Sequence, residues 1–218
     1  MGGANGMPVH YTRRMATLVR DVGRLENGAV MGRDEFHRLY TFRPELHRVE
    51  LVEGVVYMPS PIIVEGHADA QALVLEWLAA YTLPRPELRH TGPGTVLLDD
   101  QNEPEPDAML FRMREDRLQD GYLKGAPELI VEIANTSASR DVHQKKAAYE
   151  RNAVGEYIVW RVADGAIDWF RLELGSYLLI APREDGIIES AQFPGLRLNV
   201  GAALAMDRAT VVGAVRPE

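Results

Sequence analysis

The chain has 218 residues, 46% of them hydrophobic, no cysteine and a formal charge of -8. That length can bury a core unaided, and the missing thiols exclude disulfides, thiolate zinc knuckles, iron–sulfur clusters and cysteine nucleophiles. The acidic balance argues against a protein that coats nucleic acid non-specifically, because such binding is driven by phosphate neutralisation, although it leaves room for a local basic patch.

Residues 1–32 open with GGANGMP and show little periodicity, which predicts a partly disordered N-terminal arm ahead of a single domain over residues 33–218. Arg13-Arg14 is followed by charged residues where an export signal would be apolar. No run reaches the roughly 18 to 20 apolar residues of a membrane span, so a cytoplasmic protein without a membrane partner is expected. Gly32-Arg33-Asp34 leads into EFHRLYTF, a short helix stopped before Pro44. HRVELVEGVVYMPSP alternates apolar and polar positions on both sides of Glu53-Gly54, the pattern of a hairpin. Across residues 65–83, Ala68, Ala72, Leu75, Leu78 and Ala79 recur at three and four spacing. They predict a long helix that packs by that stripe on a sheet and ends before Pro84.

Strands in TVLLDD and PDAMLF follow, then a charged loop over residues 112–125. ELIVEIA predicts a central strand, SRDVHQKKAAYERN a helix and EYIVWRV a further strand. AIDWFRL, SYLLIAP and LRLNV predict a small antiparallel C-terminal addition. The order implies a mixed α/β fold, a central mixed sheet flanked by helices, with the crossover helix between its last two core strands. Many functions share such folds, so function has to come from particular residues.

Asp107 opens one of these strands and Glu132 lies inside another. In ELIVEIA, Leu129, Val131 and Ile133 share one face, and Glu132 falls on the other with Ile130. A carboxylate inside a central strand is costly to bury unless it is paired or binds a cation. Two carboxylates from neighbouring strands offer hard oxygen ligands suited to Mg²⁺ or Mn²⁺, which would polarise a phosphoryl oxygen and acidify a bound water. Lys124, Lys145 and Lys146 are the only lysines of the chain. On the helix after Glu132, Asp141, Lys145 and Tyr149 share a face, while Lys146 is turned about 100° away. On these residues alone, an ion pair between Glu132 and Lys145 or an arginine explains the buried acid as readily as a metal does. Lys146 reads as a solvated helix face and His67 as a local cap or hydrogen-bonding group. Arg112, Arg114 and Arg117, interrupted by Glu115 and Asp116, read as a solvated loop before they read as phosphate contacts.

Taken together, VELVEGVVYMPSP, His67, EPDAMLF, GAPELIVEIANTS, RDVHQKKAAYERNAVGEYIVW and FPGLRLNVGAALA resemble the Uma family of restriction endonucleases, within the PD-(D/E)xK nuclease superfamily. The resemblance runs from about residue 33 to residue 205. It implies a restriction-endonuclease-like core that holds Mg²⁺ or Mn²⁺ at Asp107, Glu132 and the backbone carbonyl of Ile133. The superfamily lysine two residues after the acid is replaced here by Ala134, and the family's displaced lysine matches Lys145. Glu50 and Glu53 match acidic positions of the family, and with His67 they are candidates for supporting roles. Three apart in a strand, the two glutamates point to opposite faces, so at most one serves the site. The chain departs from the family at Glu105, at Tyr157-Ile158, and in Asn135-Thr136-Ser137, a turn one residue shorter.

The function expected is a metal-dependent endonuclease that hydrolyses phosphodiester bonds of nucleic acid, DNA first, as a homodimer. A rival from another class is a catalytically silent fold acting as an oligomeric or partner-binding module, with Glu132 and Lys145 as an internal ion pair. A second rival acts on another phosphoester, a nucleotide or structured RNA.

Overall fold

Leu129–Ala134, the segment with an acid set among aliphatic residues, forms strand β8, and all six of its residues are buried. A strand covered on both faces has to lie at the centre of a sheet. The computed structural model describes residues 25–58, 64–134 and 141–216. In it, β8 lies inside a six-stranded sheet of order β11-β10-β9-β8-β5-β3. These strands are β3 (Leu88–Thr91), β5 (Ala108–Arg112), β9 (Glu156–Arg161), β10 (Ala166–Glu173) and β11 (Ser176–Ile180). Within this sheet only the β8–β9 pair is parallel. A parallel pair needs a crossover. Part of it is a π-helical turn, Asp141–Lys145, that runs into α3 (Lys146–Arg151), and this carries Lys145 back over the sheet.

Helix α2 (Asp69–Thr82), entered through a second π-helical turn (Val64–Ala68), covers one face of the sheet. The stripe it buries is Leu73, Val74, Trp77, Leu78 and Tyr81, packed on Leu110, Leu129, Val131, Ile158 and Trp169. The expected stripe of Ala68, Ala72, Leu75 and Ala79 is only half-buried, with Leu78 alone on the buried side. The helix is apolar on nearly every side, so three-and-four spacing fits more than one face, and the larger side chains take the core. On the opposite face of the sheet, Ile130, Tyr157, Val159 and Phe170 pack with Tyr149 and Val154.

Two short antiparallel strands, β1 (Glu50–Val52) and β2 (Val55–Tyr57), form the expected hairpin, with Glu53 and Gly54 both at positive φ in its turn. Helix α1 (Arg33–Thr41) packs on it in a third apolar cluster of Leu25, Phe36, Leu39, Val49, Leu51 and Val56. Residues 25–31 run alongside β2 and bond to it through Gly28, Ala29 and Met31. The first 24 residues of the predicted arm, Pro59-Ser60-Pro61 after the hairpin and Asn135-Thr136-Ser137 lie outside the described residues.

Elsewhere the structure refines the expectations. Strand β3 is not evident from the sequence, because LRHT carries three polar residues and no apolar alternation. The charged loop contains a small hairpin, β6 (Leu118–Gln119) and β7 (Tyr122–Lys124), and β7 also pairs with β4 (Val96–Leu97). Of the C-terminal strands, β10 and β11 extend the central sheet, while β12 (Ile187–Glu189) and β13 (Arg197–Asn199) form a separate ribbon. Helices α4 (Val200–Leu204) and α5 (Arg208–Gly213) close the chain.

Candidate active site

Near the C-terminal end of β8, Glu132 is 3% exposed and meets two groups from the crossover helix. Lys145 Nζ donates to Glu132 Oε1 at 3.0 Å and the Tyr149 hydroxyl donates to the same oxygen at 2.8 Å. One helical turn separates the two donors, which is why both reach one carboxylate. Lys145 is equally buried and also bonds Glu50 Oε1 at 2.7 Å, so its ammonium bridges two acids. Burial, with the negative charges of Glu132 and Glu50 beside it, raises the Tyr149 phenol well above its ordinary range and keeps it a neutral donor.

Asp107 arrives from the neighbouring strand. The β5–β8 register pairs Ala108 with Val131, and one further step sets Asp107 across from Glu132. The segment before it, Glu103-Pro104-Glu105-Pro106, pairs with β1 through Leu51 and Glu103 and with β4 through Val96 and Pro104. Its two prolines cannot donate, which limits the pairing to alternate residues. Glu50 Oε1 accepts the Glu105 backbone N–H at 2.8 Å, tying the hairpin acid to this segment. The Asp107 carboxylate is bonded by Arg48, by the Ile133 backbone N–H at 2.9 Å, and lies 3.4 Å from His67 Nε2. Gln71 Nε2 holds its carbonyl at 3.0 Å. Burial pushes the Asp107 carboxyl up, but the His67 contact, the Ile133 N–H and the Arg48 guanidinium outweigh it and hold the acid below the usual carboxylate range. His67 Nδ1 is buried without a hydrogen-bond partner.

The structure thus brings together Asp107, Glu132, Lys145, Glu50 and His67, and it places Ile133 beside them through its N–H. Glu53 lies apart, as expected, though for a different reason: it stands outside β1 in the hairpin turn, exposed and paired with Arg151 at 2.5 Å. Lys146 is half-buried and not freely solvated, its ammonium 3.9 Å from the centre of the Phe170 ring. The expected solvated loop holds for Arg112 and Arg114, which are exposed, although Arg112 also donates to the Gln192 carbonyl at 2.6 Å; Arg117 departs from it, buried on Glu128 at 3.0 Å. The sequence does not single out Arg48, because the alternation of HRVELVEG makes it one more polar position of the hairpin, whereas it stands in a bend before β1. Nor does it single out Tyr40; its hydroxyl donates to Glu105 at 3.0 Å, and burial with the Glu105 charge pushes its pKa up to about 12. Among the described residues, no three or more His, Asp or Glu side chains are grouped to hold a metal ion, and Arg48 and Lys145 stand against the acids instead.

The profile of the Uma2 family, described as "Putative restriction endonuclease", matches residues 33–201. The chain belongs to the Uma2 family. Among solved structures, it is similar to one described as "a putative nuclease belonging to DUF820" from Anabaena variabilis ATCC 29413. The TM-score is 0.64 at 18% identity, over 79% of this chain and 97% of that one, a likeness of fold. No curated protein matches the chain. Membership of Uma2 confirms the expected nuclease family and restriction-endonuclease-like fold, and among the described residues no helix is long and apolar enough to cross a membrane.

Proposed function

We propose that this Uma2 protein is a metal-dependent endonuclease acting on DNA, with Mg²⁺ or Mn²⁺ held by Asp107, Glu132 and the Ile133 carbonyl. The observation that carries the reading is the convergence of Lys145 and Tyr149 on Glu132, one register step across from Asp107. The donor chemistry suits a hard divalent cation: Glu50, Asp107 and Glu132 are buried carboxylates, with Arg48 and Lys145 among the cations that stand against them. A divalent cation bound there supplies Lewis acidity toward a phosphoryl oxygen and acidifies a water. Lys145, fixed between Glu50 and Glu132, holds an ammonium where it orients the attacking water and offsets charge developing on phosphate. Tyr149 keeps Glu132 turned toward the lysine, and Asp107 enters the reaction already ionised. In this reading, residues 33–218 form one catalytic domain, working in the cytoplasm as a homodimer.

A second reading rests on the same contacts. Arg48 and Lys145 already neutralise two acids, so the cluster could be an internal ion network in a silent member that binds partners. Calorimetric titration of Mn²⁺ into wild type, Asp107→Ala and Glu132→Ala separates the two. Binding by the wild type that is lost in both variants, together with loss of Mg²⁺-dependent cleavage of duplex DNA in a folded Asp107→Ala protein, supports the nuclease. No binding by the wild type, with or without duplex present, supports the silent member.

A further inference from the structure

The two cations of the site are held differently. Lys145 is 4% exposed along its side chain and bridges Glu50 and Glu132, so moving it would take one ammonium from two buried carboxylates. Arg48 is 26% exposed along its side chain and sits on Asp107 from the solvent side. Its backbone is in the left-handed region, with φ of 57°. Of the six described non-glycine residues at positive φ, the other five occupy places where that conformation is the rule. Glu53, Asp120 and Leu174 each precede a glycine in a hairpin turn, and Ala153 and Met206 follow helix ends. Arg48 lies in a bend two residues before β1, where neither a turn nor a cap asks for it. The conformation is imposed from the C-terminal side: Val49 is buried with its N–H on the Tyr40 hydroxyl at 3.3 Å, and Glu50 is clamped by Lys145. Strain of this kind persists only where the surroundings over-determine it, and here it aims a guanidinium at the acid expected to bind the metal.

We propose that Arg48 is a displaceable counter-ion, closing Asp107 in the metal-free protein and turning to a phosphate oxygen of the nucleic acid when a divalent cation takes its place. A planar guanidinium carries five donors in a fork that fits phosphate as well as carboxylate, and a partly solvated head can exchange one for the other. The exchange keeps Asp107 neutralised throughout, by guanidinium before and by the metal after, so a buried charge is never left bare. Arg48 therefore makes substrate binding conditional on a loaded metal site. The inference rests on the nuclease reading.

The test compares Mn²⁺ titrations of wild type and Arg48→Met, which keeps the apolar stem and removes the charge. The variant is expected to bind Mn²⁺ about tenfold more tightly, because no guanidinium competes for Asp107. In Ca²⁺, its binding to a 20-base-pair duplex should lose about 0.9 from the slope of log affinity against log salt, one phosphate contact fewer. Mn²⁺ binding by the wild type with equal or weaker binding by a folded Arg48→Met overturns this inference alone. No Mn²⁺ binding by the wild type overturns the nuclease reading and this inference with it. Should Arg48→Met fail to fold, Asp107→Asn answers in metal-free buffer. The released Arg48 should steepen the salt slope for the duplex by about 0.9 relative to wild type, and an unchanged slope overturns the inference.

Discussion

Glu132 and Glu156 are buried carboxylates on adjacent parallel strands, and they are satisfied by opposite kinds of partner. Glu156 begins β9, in register with Leu129, so it lies at the other end of β8 from Glu132. It is fully buried and accepts from the Ser190 hydroxyl at 2.5 Å and the Ala191 N–H at 2.7 Å, with Arg171 standing off at 3.7 Å. Ser190 in turn accepts the Phe193 N–H at 2.9 Å, so this acid pins a loop. Glu132 instead takes a buried ammonium and a phenol from one helix, next to a second acid from another strand. Burial alone does not mark a working carboxylate. Under the proposed function, what distinguishes Glu132 is a fixed cation shared with a second acid, which makes its charge matter to what binds beside it.

The sharpest way to break the comparison is Lys145→Ala. It leaves Glu50 and Glu132 without their ammonium and should cost about 3–5 kcal/mol in urea unfolding at neutral pH. Turnover should drop by about 10²–10³-fold, a larger change than in Mn²⁺ affinity. A variant that cleaves DNA normally would show Lys145 to be structural, as the donors on Glu156 are. Tyr149→Phe removes one neutral donor from Glu132 and should cost about 1–3 kcal/mol, with a smaller loss of turnover than Lys145→Ala.

Glu156→Gln tests the other end of the sheet through pH. Burial raises the Glu156 carboxyl above its ordinary 4.5, against the pull of Ser190 and Ala191. A raised folded-state pKa gives stability that is full below the unfolded value and lost as pH rises through the folded one. Wild type should therefore lose melting temperature from pH 4 towards 7 relative to Glu156→Gln, with Mn²⁺ binding the same in both. A parallel pH profile would place the titrating acid elsewhere. The smallest effect is expected from Lys146→Ala, which removes a cation from the Phe170 face for about 0.5–1 kcal/mol and leaves cleavage intact. Cleavage lost in Lys146→Ala would exchange the roles of the two lysines.

Much of the site is written in local pattern. Alternation along ELIVEIA places Glu132 on the face opposite Leu129, Val131 and Ile133, and helical arithmetic sets Lys145 and Tyr149 together; both hold. The resemblance supplies Asp107, and the hairpin argument separates Glu50 from Glu53. Arg48 and Tyr40 escape because their roles depend on tertiary approach, Arg48 from a bend and Tyr40 from the buried side of a helix, where its ring packs with Phe36 and reads as core. The same limit applies to α2, where an apolar residue occurs on almost every side and only the sheet decides which face is buried. The hairpin of β6 and β7 carries one buried side chain, Leu123, too little apolar signal to rise above a charged loop.

Arg48 and Glu50 lie two residues apart, yet one reaches Asp107 and the other Lys145. Both are delivered by the layer of α1, β1 and β2, whose apolar cluster is distinct from the two that sandwich the central sheet. A sub-global opening that lifts this layer dismantles both ion pairs in one event while the sheet stays paired. The proposed catalytic cluster then exists only for the fraction of time that the layer is docked, so heat inactivation should run ahead of global melting. Amide protons of β1 and β2 should exchange sooner than those of β8.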